Sequence, residues 1–218
     1  MQRNDLKYVV VEGPIGVGKT TLANKLALDW DAELVLENVE DNPFLLQFYE
    51  EPRQFALSTQ LHFLLTRTRQ IQHIKQQSIF SNTRVSDFMA HKEKLFAQIT
   101  LNSEEYDLYD QIYSYLTSDL PKPDLIIYLQ ASTKTLEKRV KNRARGYEKH
   151  INFSYLEKIN SSYANFFHKY SSSPLLIINT GNVDFVNNNE DYLGIINMIN
   201  KVEKGKHYFN PIPTIVNE

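Results

Sequence analysis

The sequence predicts an α/β protein: a parallel sheet of five strands with helices on both faces. Two observations carry that prediction. Five short apolar runs of β type, at residues 8–12, 33–36, 84–87, 124–129 and 175–179, are separated by longer stretches with helical spacing. Parallel neighbours need such crossovers, and a strand covered on both faces reads as a continuous run like "DLIIYL".

Tyr8–Glu12 is the first strand and ends at a glycine-rich loop, with the helix Lys19–Trp30 after it. Glu33–Leu36 is a short second strand. From Asn42 to about Lys75 the pattern is helical, a short helix and then a long one from near Pro52. Arg84–Asp87 is a third strand with an acid at its C-terminal end. In "LNSEEYDLYDQIYSYL", Ser103 is the expected N-cap, and Tyr106, Tyr109, Ile112, Tyr113 and Leu116 follow at helical spacing. Pro121 and Pro123 break that helix before the strand Asp124–Leu129. Thr133–Arg143 and Ser154–Tyr170 read as helices, Leu175–Asn179 as the fifth strand and Asp191–Glu203 as the last helix. The domain is expected over residues 1–203. The tail 204–218, "KGKHYFNPIPTIVNE", has no clear period and receives no element. There is no internal repeat, linker or low-complexity tract.

Bulk properties exclude several classes. A chain of 218 residues suits one domain with a full core. Its 42% apolar and 23% charged residues are those of a soluble globular protein. A net charge of −2 supplies no electrostatic reason for a nucleic-acid partner. No apolar run is long enough to span a membrane, and "MQRNDLKYVVVEG" enters a strand too soon to hold a signal peptide. With no cysteine, disulfides, thiolate catalysis and cysteine-ligated zinc are excluded. Cytoplasm is the expected location.

The loop itself, "VEGPIGVGKT", fits the phosphate-binding pattern G-x-x-x-x-G-K-[ST] between an apolar strand and an apolar-periodic helix. Gly13, Gly16 and Gly18 let backbone N–H groups turn inward onto phosphate oxygens at a helix N-terminus. Lys19 is expected on the β- and γ-phosphates of ATP, Thr20 on Mg²⁺, and Thr21 beside them in the first helical turn. No guanine-reading N-K-x-D follows a later strand, and no strand ends in the acidic pair of a motor ATPase. A small phosphotransferase is the class that remains.

A phosphotransferase needs charge over the moving phosphoryl group and a carboxylate at the acceptor hydroxyl. In "EKRVKNRARGYEKHI", Arg139, Arg143 and Arg145 cluster at a helix end, ahead of Gly146 and Glu148. Guanidinium forks suit phosphate oxygens, and beside a phosphate loop this outweighs a merely solvated basic helix end. Among the acids, Glu37 follows the second strand directly and is favoured over Glu40 and Asp41, which read as charges at a helix start.

The segments "EGPIGVGKT", "LENVEDNPFLLQFYEEPRQFALSTQLHFLLTRTRQ", "DLPKPDLIIYLQAS" and "RVKNRARGYEKHI" together resemble the deoxynucleoside kinases, in order and with matching spacing from about Lys7 to Ile199. "VEDNPFL" and "SDFMAHKEKLFA" look most like the bacterial branch that phosphorylates purine deoxynucleosides. The resemblance implies a phosphate-loop kinase fold with an arginine-rich lid, ATP and Mg²⁺, a purine deoxynucleoside as acceptor and a homodimer. It implies Glu37 as the general base on the 5′-hydroxyl, with Lys19 and Arg139 also catalytic. Tyr49 and Glu148 would hold the 3′-hydroxyl, Gln60 and Arg67 would read the base, and Phe96 would stack on it. Arg143 and Arg145 would close over ATP, with Asp184 and Phe185 beside its adenine.

Plainer roles compete. Tyr49 and Phe96 suit a core equally well, and Glu148 could pair with a lid arginine. Gln60 and Arg67, seven apart, share a helix face that could be solvated. One departure stands out: an acid-Arg-Ser motif common in the family is Ser86-Asp87-Phe88 here. Asp87 is expected to replace the acid and help hold Mg²⁺, with a lid arginine or Lys92 replacing the guanidinium. A nucleoside-monophosphate kinase and a non-catalytic nucleotide-binding protein are the alternatives.

Overall fold

Val9, Val10 and Val11 have no exposed surface, which places their strand, β1 (Tyr8–Glu12), at the centre of the sheet. The computed structural model describes residues 5–76 and 83–210. Around β1 the sheet runs β2 (Glu33–Val35), β3 (Arg84–Ser86), β1, β4 (Leu125–Gln130), β5 (Leu175–Asn179) and β6 (Lys206–Phe209), every pair parallel. Val9 pairs with Val85 on one side and Leu125 on the other, so strand order diverges at β1. Ligands of open α/β sheets bind at the C-terminal ends of strands at such a point. The phosphate loop leaves β1 there.

The sheet has six strands, not five. β6 pairs with β5 from Leu175↔Lys206 to Ile178↔Phe209 and lies within the segment to which the sequence assigned no element. Four residues at a sheet edge, two of them Lys206 and His207, carry too little apolar signal to read as a strand. Residues 211–218 of that tail lie outside the described residues.

Successive side chains of a strand point to opposite faces, and here each face builds its own core. Val9, Val11, Ile127 and Leu129 pack with Leu22 and Leu26 of α1 (Lys19–Asp29). Leu136 of α6 (Thr133–Arg143) and Ile195 and Ile199 of α8 (Asn189–Lys201) complete that side. Val10, Ile126 and Tyr128 pack with Leu95 of α4 (Lys92–Thr100) and with Ile159, Tyr163 and Phe167 of α7 (Phe153–Lys169). Further out, α2 (Leu45–Glu50), the long α3 (Pro52–Gln76) and α5 (Ser103–Thr117) wall one end of the molecule, with Leu64, Tyr109 and Tyr113 in contact. Short 3-10 turns occupy Val39–Asp41 and Gly146–His150.

Two local expectations are corrected. The helix α4 has no counterpart in the sequence reading, because its first residues Lys92 and Glu93 are charged yet buried and break the apolar period. The N-cap of α5 is Asn102, not Ser103. Asn102 Oδ1 accepts from Glu105 N at 2.9 Å while Glu105 Oε2 accepts from Asn102 N, a reciprocal capping box.

The loop's first glycine is fixed by packing as well as by conformation. Gly13 has φ of +150°, and a Cβ there would overlap the Leu129 carbonyl and lie 2.9 Å from Val17 Cγ1. Gly13→Ala is therefore expected to destabilise the fold by about 2–4 kcal/mol through strain and overpacking. Urea unfolding measures it; a midpoint within error of the wild type would show that the loop's entry has room to spare.

Candidate active site

One carboxylate at the end of β3 joins two loops. Asp87 Oδ2 accepts from the Thr20 hydroxyl at 2.6 Å and its Oδ1 from the Glu37 backbone N–H at 2.7 Å. The parallel register of β2, β3 and β1 brings all three chain segments to the same edge. Within the loop, Lys19 Nζ donates to the carbonyls of Gly13 (2.8 Å) and Pro14 (3.2 Å). Burial pushes the Lys19 ammonium down to about 8, with the positive charge of Lys92 adding to the shift.

Two cavities meet at the loop. One, of about 240 Å³, is lined by Lys19, Thr20, Glu37, Tyr49, Gln60 and Arg67, and continues over Asp87, Phe96, Arg143, Arg145 and Glu148. The other, about 720 Å³, is lined by Gly16, Gly18, Thr21, Arg139, Arg143, Asp184 and Phe185. Gly16 and Arg143 line both. Gly13 lines neither and lies beneath the loop, where Glu12 Oε2 accepts its N–H at 2.9 Å.

Inside the smaller cavity, acids and cations alternate. Glu37 Oε1 pairs with Arg67 and its Oε2 with Lys92; Arg67 also pairs with the fully buried Glu93 and lies 4.2 Å over the Phe63 ring. Lys92 stands 3.9 Å from Glu12, whose carboxyl is pushed up by burial. The wall opposite is aromatic. Tyr49 stacks parallel to Tyr147 at 6.1 Å, Phe96 meets Tyr163 edge-on at 6.3 Å, and both Tyr49 and Phe96 remain partly exposed. Burial pushes the Tyr49 phenol well up, so it stays a neutral hydrogen-bond donor.

Comparison with known proteins identifies the family. A family model described as deoxynucleoside kinase covers residues 9–204. The chain belongs to the deoxynucleoside kinase family. Deoxyguanosine kinase from Bacillus subtilis (strain 168) is 35% identical over 194 residues, 87% of this chain and 94% of that protein. Deoxyguanosine kinase from Lactobacillus johnsonii is 31% identical over 209 residues, 89% and 91% of the two chains. Among solved structures, deoxyadenosine kinase from M. mycoides with bound dCTP shares the fold, with a TM-score of 0.76 at 23% identity over 89% of this chain and 99% of that one.

The kinase departs from simple expectation at its lid. Arg139 donates to Thr180 Oγ1 (2.9 Å), Thr180 O (2.8 Å) and Val17 O, so it braces the wall of the larger cavity. Arg143 is paired with Glu148, the plainer role anticipated for that acid, although Glu148 also lines the cavity beside Tyr49. Arg145 donates to the Tyr147 hydroxyl at 2.9 Å. Asp184 shapes its own loop, accepting the N–H groups of Val186 and Asn187, while Phe185 packs over Gly18. Glu12, Glu93 and the aromatic walls Tyr147, Tyr155 and Tyr163 were not singled out from sequence. No local signal marks Glu93, which sits among consecutive polar residues in "AHKEKLFA" and reads as surface.

Gln60 separates a binding role from a structural one. It is 2% exposed, lines the smaller cavity, and its Oε1 has no hydrogen-bond partner. A buried acceptor left unpaired destabilises the protein by about 1–3 kcal/mol. Gln60→Leu should leave stability unchanged or raise it by about 1 kcal/mol, while raising the nucleoside KM roughly 10–100-fold. Loss of stability with an unaltered KM would make Gln60 a structural residue.

Proposed function

We propose that the kinase transfers the γ-phosphoryl group of ATP to the 5′-hydroxyl of a purine deoxynucleoside, deoxyguanosine first and deoxyadenosine second, in nucleotide salvage. The observation that carries this is the shared Asp87 carboxylate, which fixes Glu37, two residues after β2, against the phosphate loop. It sets Glu37 where a phosphate-loop donor and a second substrate would meet. The names of the two bacterial relatives support deoxyguanosine as first choice.

In this reading the nucleoside fills the smaller cavity, its base against Gln60, Arg67 and Phe96 and its 3′-hydroxyl against Tyr49 and Glu148. Arginine presents donors only, which suits the O6 and N7 acceptors of guanine. The 5′-oxygen attacks the γ-phosphorus as the bond to the β-phosphate oxygen breaks. ADP leaves and the hydroxyl proton passes to Glu37. Lys19 and the loop N–H groups hold the donor phosphates; Arg139 stands at the larger cavity, Arg143 at the junction of the two and Arg145 at the smaller one. Holding both substrates in one frame lowers the entropic part of the barrier.

Magnesium belongs to the same proposal. Thr20 Oγ1 and Asp87 Oδ2 are adjacent hard oxygen donors at the loop and fit an ion that keeps water and phosphate for the rest of its shell. Bound there, it would neutralise charge on the triphosphate. A homodimer rests on family likeness, and a cytoplasmic location on the cysteine-free sequence. Among the described residues no helix is long and apolar enough to cross a membrane.

The monophosphate-kinase alternative is weaker. The smaller cavity does contain cations, but Arg67 is paired with Glu37 and Glu93, Lys92 with Glu37 and Arg143 with Glu148. An acceptor phosphate would have to displace those acids or rely on Arg145, which bonds the Tyr147 hydroxyl.

Glu37→Gln is expected to lower kcat by about 10²–10⁴-fold with substrate binding kept. Glu40→Gln and Asp41→Asn, both at exposed positions, should be near neutral. ADP release measured across a panel of deoxynucleosides and monophosphates checks the assignment. Thymidine or a monophosphate as best acceptor, or an active Glu37→Gln enzyme, would sink it.

A further inference from the structure

Lys92 opens α4 and is only 3% exposed, with its ammonium placed between two acids. Nζ donates to Glu37 Oε2 and stands 3.9 Å from Glu12 Oε1. The two acids are held in different ways. Glu12 is fully buried, and both its oxygens accept backbone N–H groups, Oε2 from Gly13 at 2.9 Å and Oε1 from Met89 at 3.3 Å. The Glu37 carboxylate is held by side chains, Arg67 on one oxygen and Lys92 on the other, and it lines the smaller cavity.

This asymmetry bears on what the lysine is for. An ammonium present only to neutralise Glu12 would bond Glu12 directly. Instead its hydrogen bond goes to the acid that faces the cavity, and the acid fixed to backbone stands beyond bonding distance as a counter-charge. The Phe88 ring, itself fully buried, lies 5.9 Å from Nζ and limits where the ammonium can go.

We infer that Lys92 is a positioning residue for phosphoryl transfer: Glu12 anchors its ammonium at the root of the phosphate loop, and the ammonium fixes the Glu37 carboxylate. The inference rests on Glu37 being the base for the 5′-hydroxyl. Through Gly13, Glu12, Lys92 and Glu37, the loop that cradles the donor and the carboxylate that receives the proton are set relative to each other. A displacement of about 1 Å between such partners can lower turnover on the order of 10²-fold.

Steady-state kinetics of K92M, K92R, E37Q and E37Q/K92M with deoxyguanosine and ATP test this. K92M should lower kcat roughly 10–100-fold while both KM values stay within about threefold. K92R, which keeps the charge, should recover part of that loss. In the E37Q background K92M should cost nothing further, because Lys92 acts through Glu37. Should K92M fail to fold with Glu12 stranded, E12Q/K92M removes both buried charges and should show the same kcat loss, again absent beside E37Q. A K92M loss that multiplies fully with a severe E37Q loss, or a raised KM at constant kcat, overturns the inference alone. Full activity in E37Q overturns the reading of Glu37 and this inference with it.

Discussion

Everything at the catalytic edge hangs from Asp87. A carboxylate has two oxygens, and here each one holds a different loop: the threonine that ends the phosphate loop and the backbone that follows β2. The two sit on separate stretches of chain, Thr20 in the first turn of α1 and Glu37 in the irregular stretch after β2, and must be held at a fixed separation. The sheet solves this by register. Because Val10 and Val35 both pair with Ser86, β2 and β3 end level with the middle of β1, and Asp87, next after β3, lies between the chain leaving β2 and the loop that β1 enters. The apolar faces of the sheet, which drive folding, thereby also set distances between groups that have no apolar surface to bury.

The charged interior beside Asp87 runs against the ordinary economics of burial. Glu12, Glu93, Arg67 and Lys92 are all nearly or wholly inside. Such pairs are poor sources of stability, since desolvation offsets much of their attraction. Their arrangement makes sense as geometry. Each cation bridges acids from different parts of the chain: Arg67 of α3 reaches Glu37 after β2 and Glu93 of α4, while Lys92 lies between Glu37 and the end of β1. Removing any one partner strands a charge, so the set is cooperative and its members are hard to change singly.

The sequence was most legible where a physical signal is local. The phosphate loop, the first five strands and the helix from Thr133 to Arg143 follow from periodicity and from glycine and proline placement, with ends shifted by a residue or two. Residue-by-residue likeness to a family brought Tyr49, Gln60, Arg67 and Phe96 to one cavity, which composition alone could not do. What escaped is long-range. Buried charges make α4 look like surface, and β6 gains its hydrogen bonds from β5 rather than from its own composition. Asn102 rather than Ser103 caps α5 because Glu105 can answer Asn102 from three residues on, a choice between neighbours that side-chain geometry decides.

Arg143 touches both cavities while bonded to Glu148, and this has a thermodynamic consequence. A donor phosphate that draws the guanidinium toward itself must compete with the Glu148 carboxylate for the same donors. Whatever factor the bound donor imposes on the acceptor's affinity by freeing Glu148, the acceptor imposes on the donor in return, since coupling free energies are reciprocal. In the proposed binding mode, one arginine shared by the two compartments would couple donor and acceptor through a single ion pair, without any movement of the sheet.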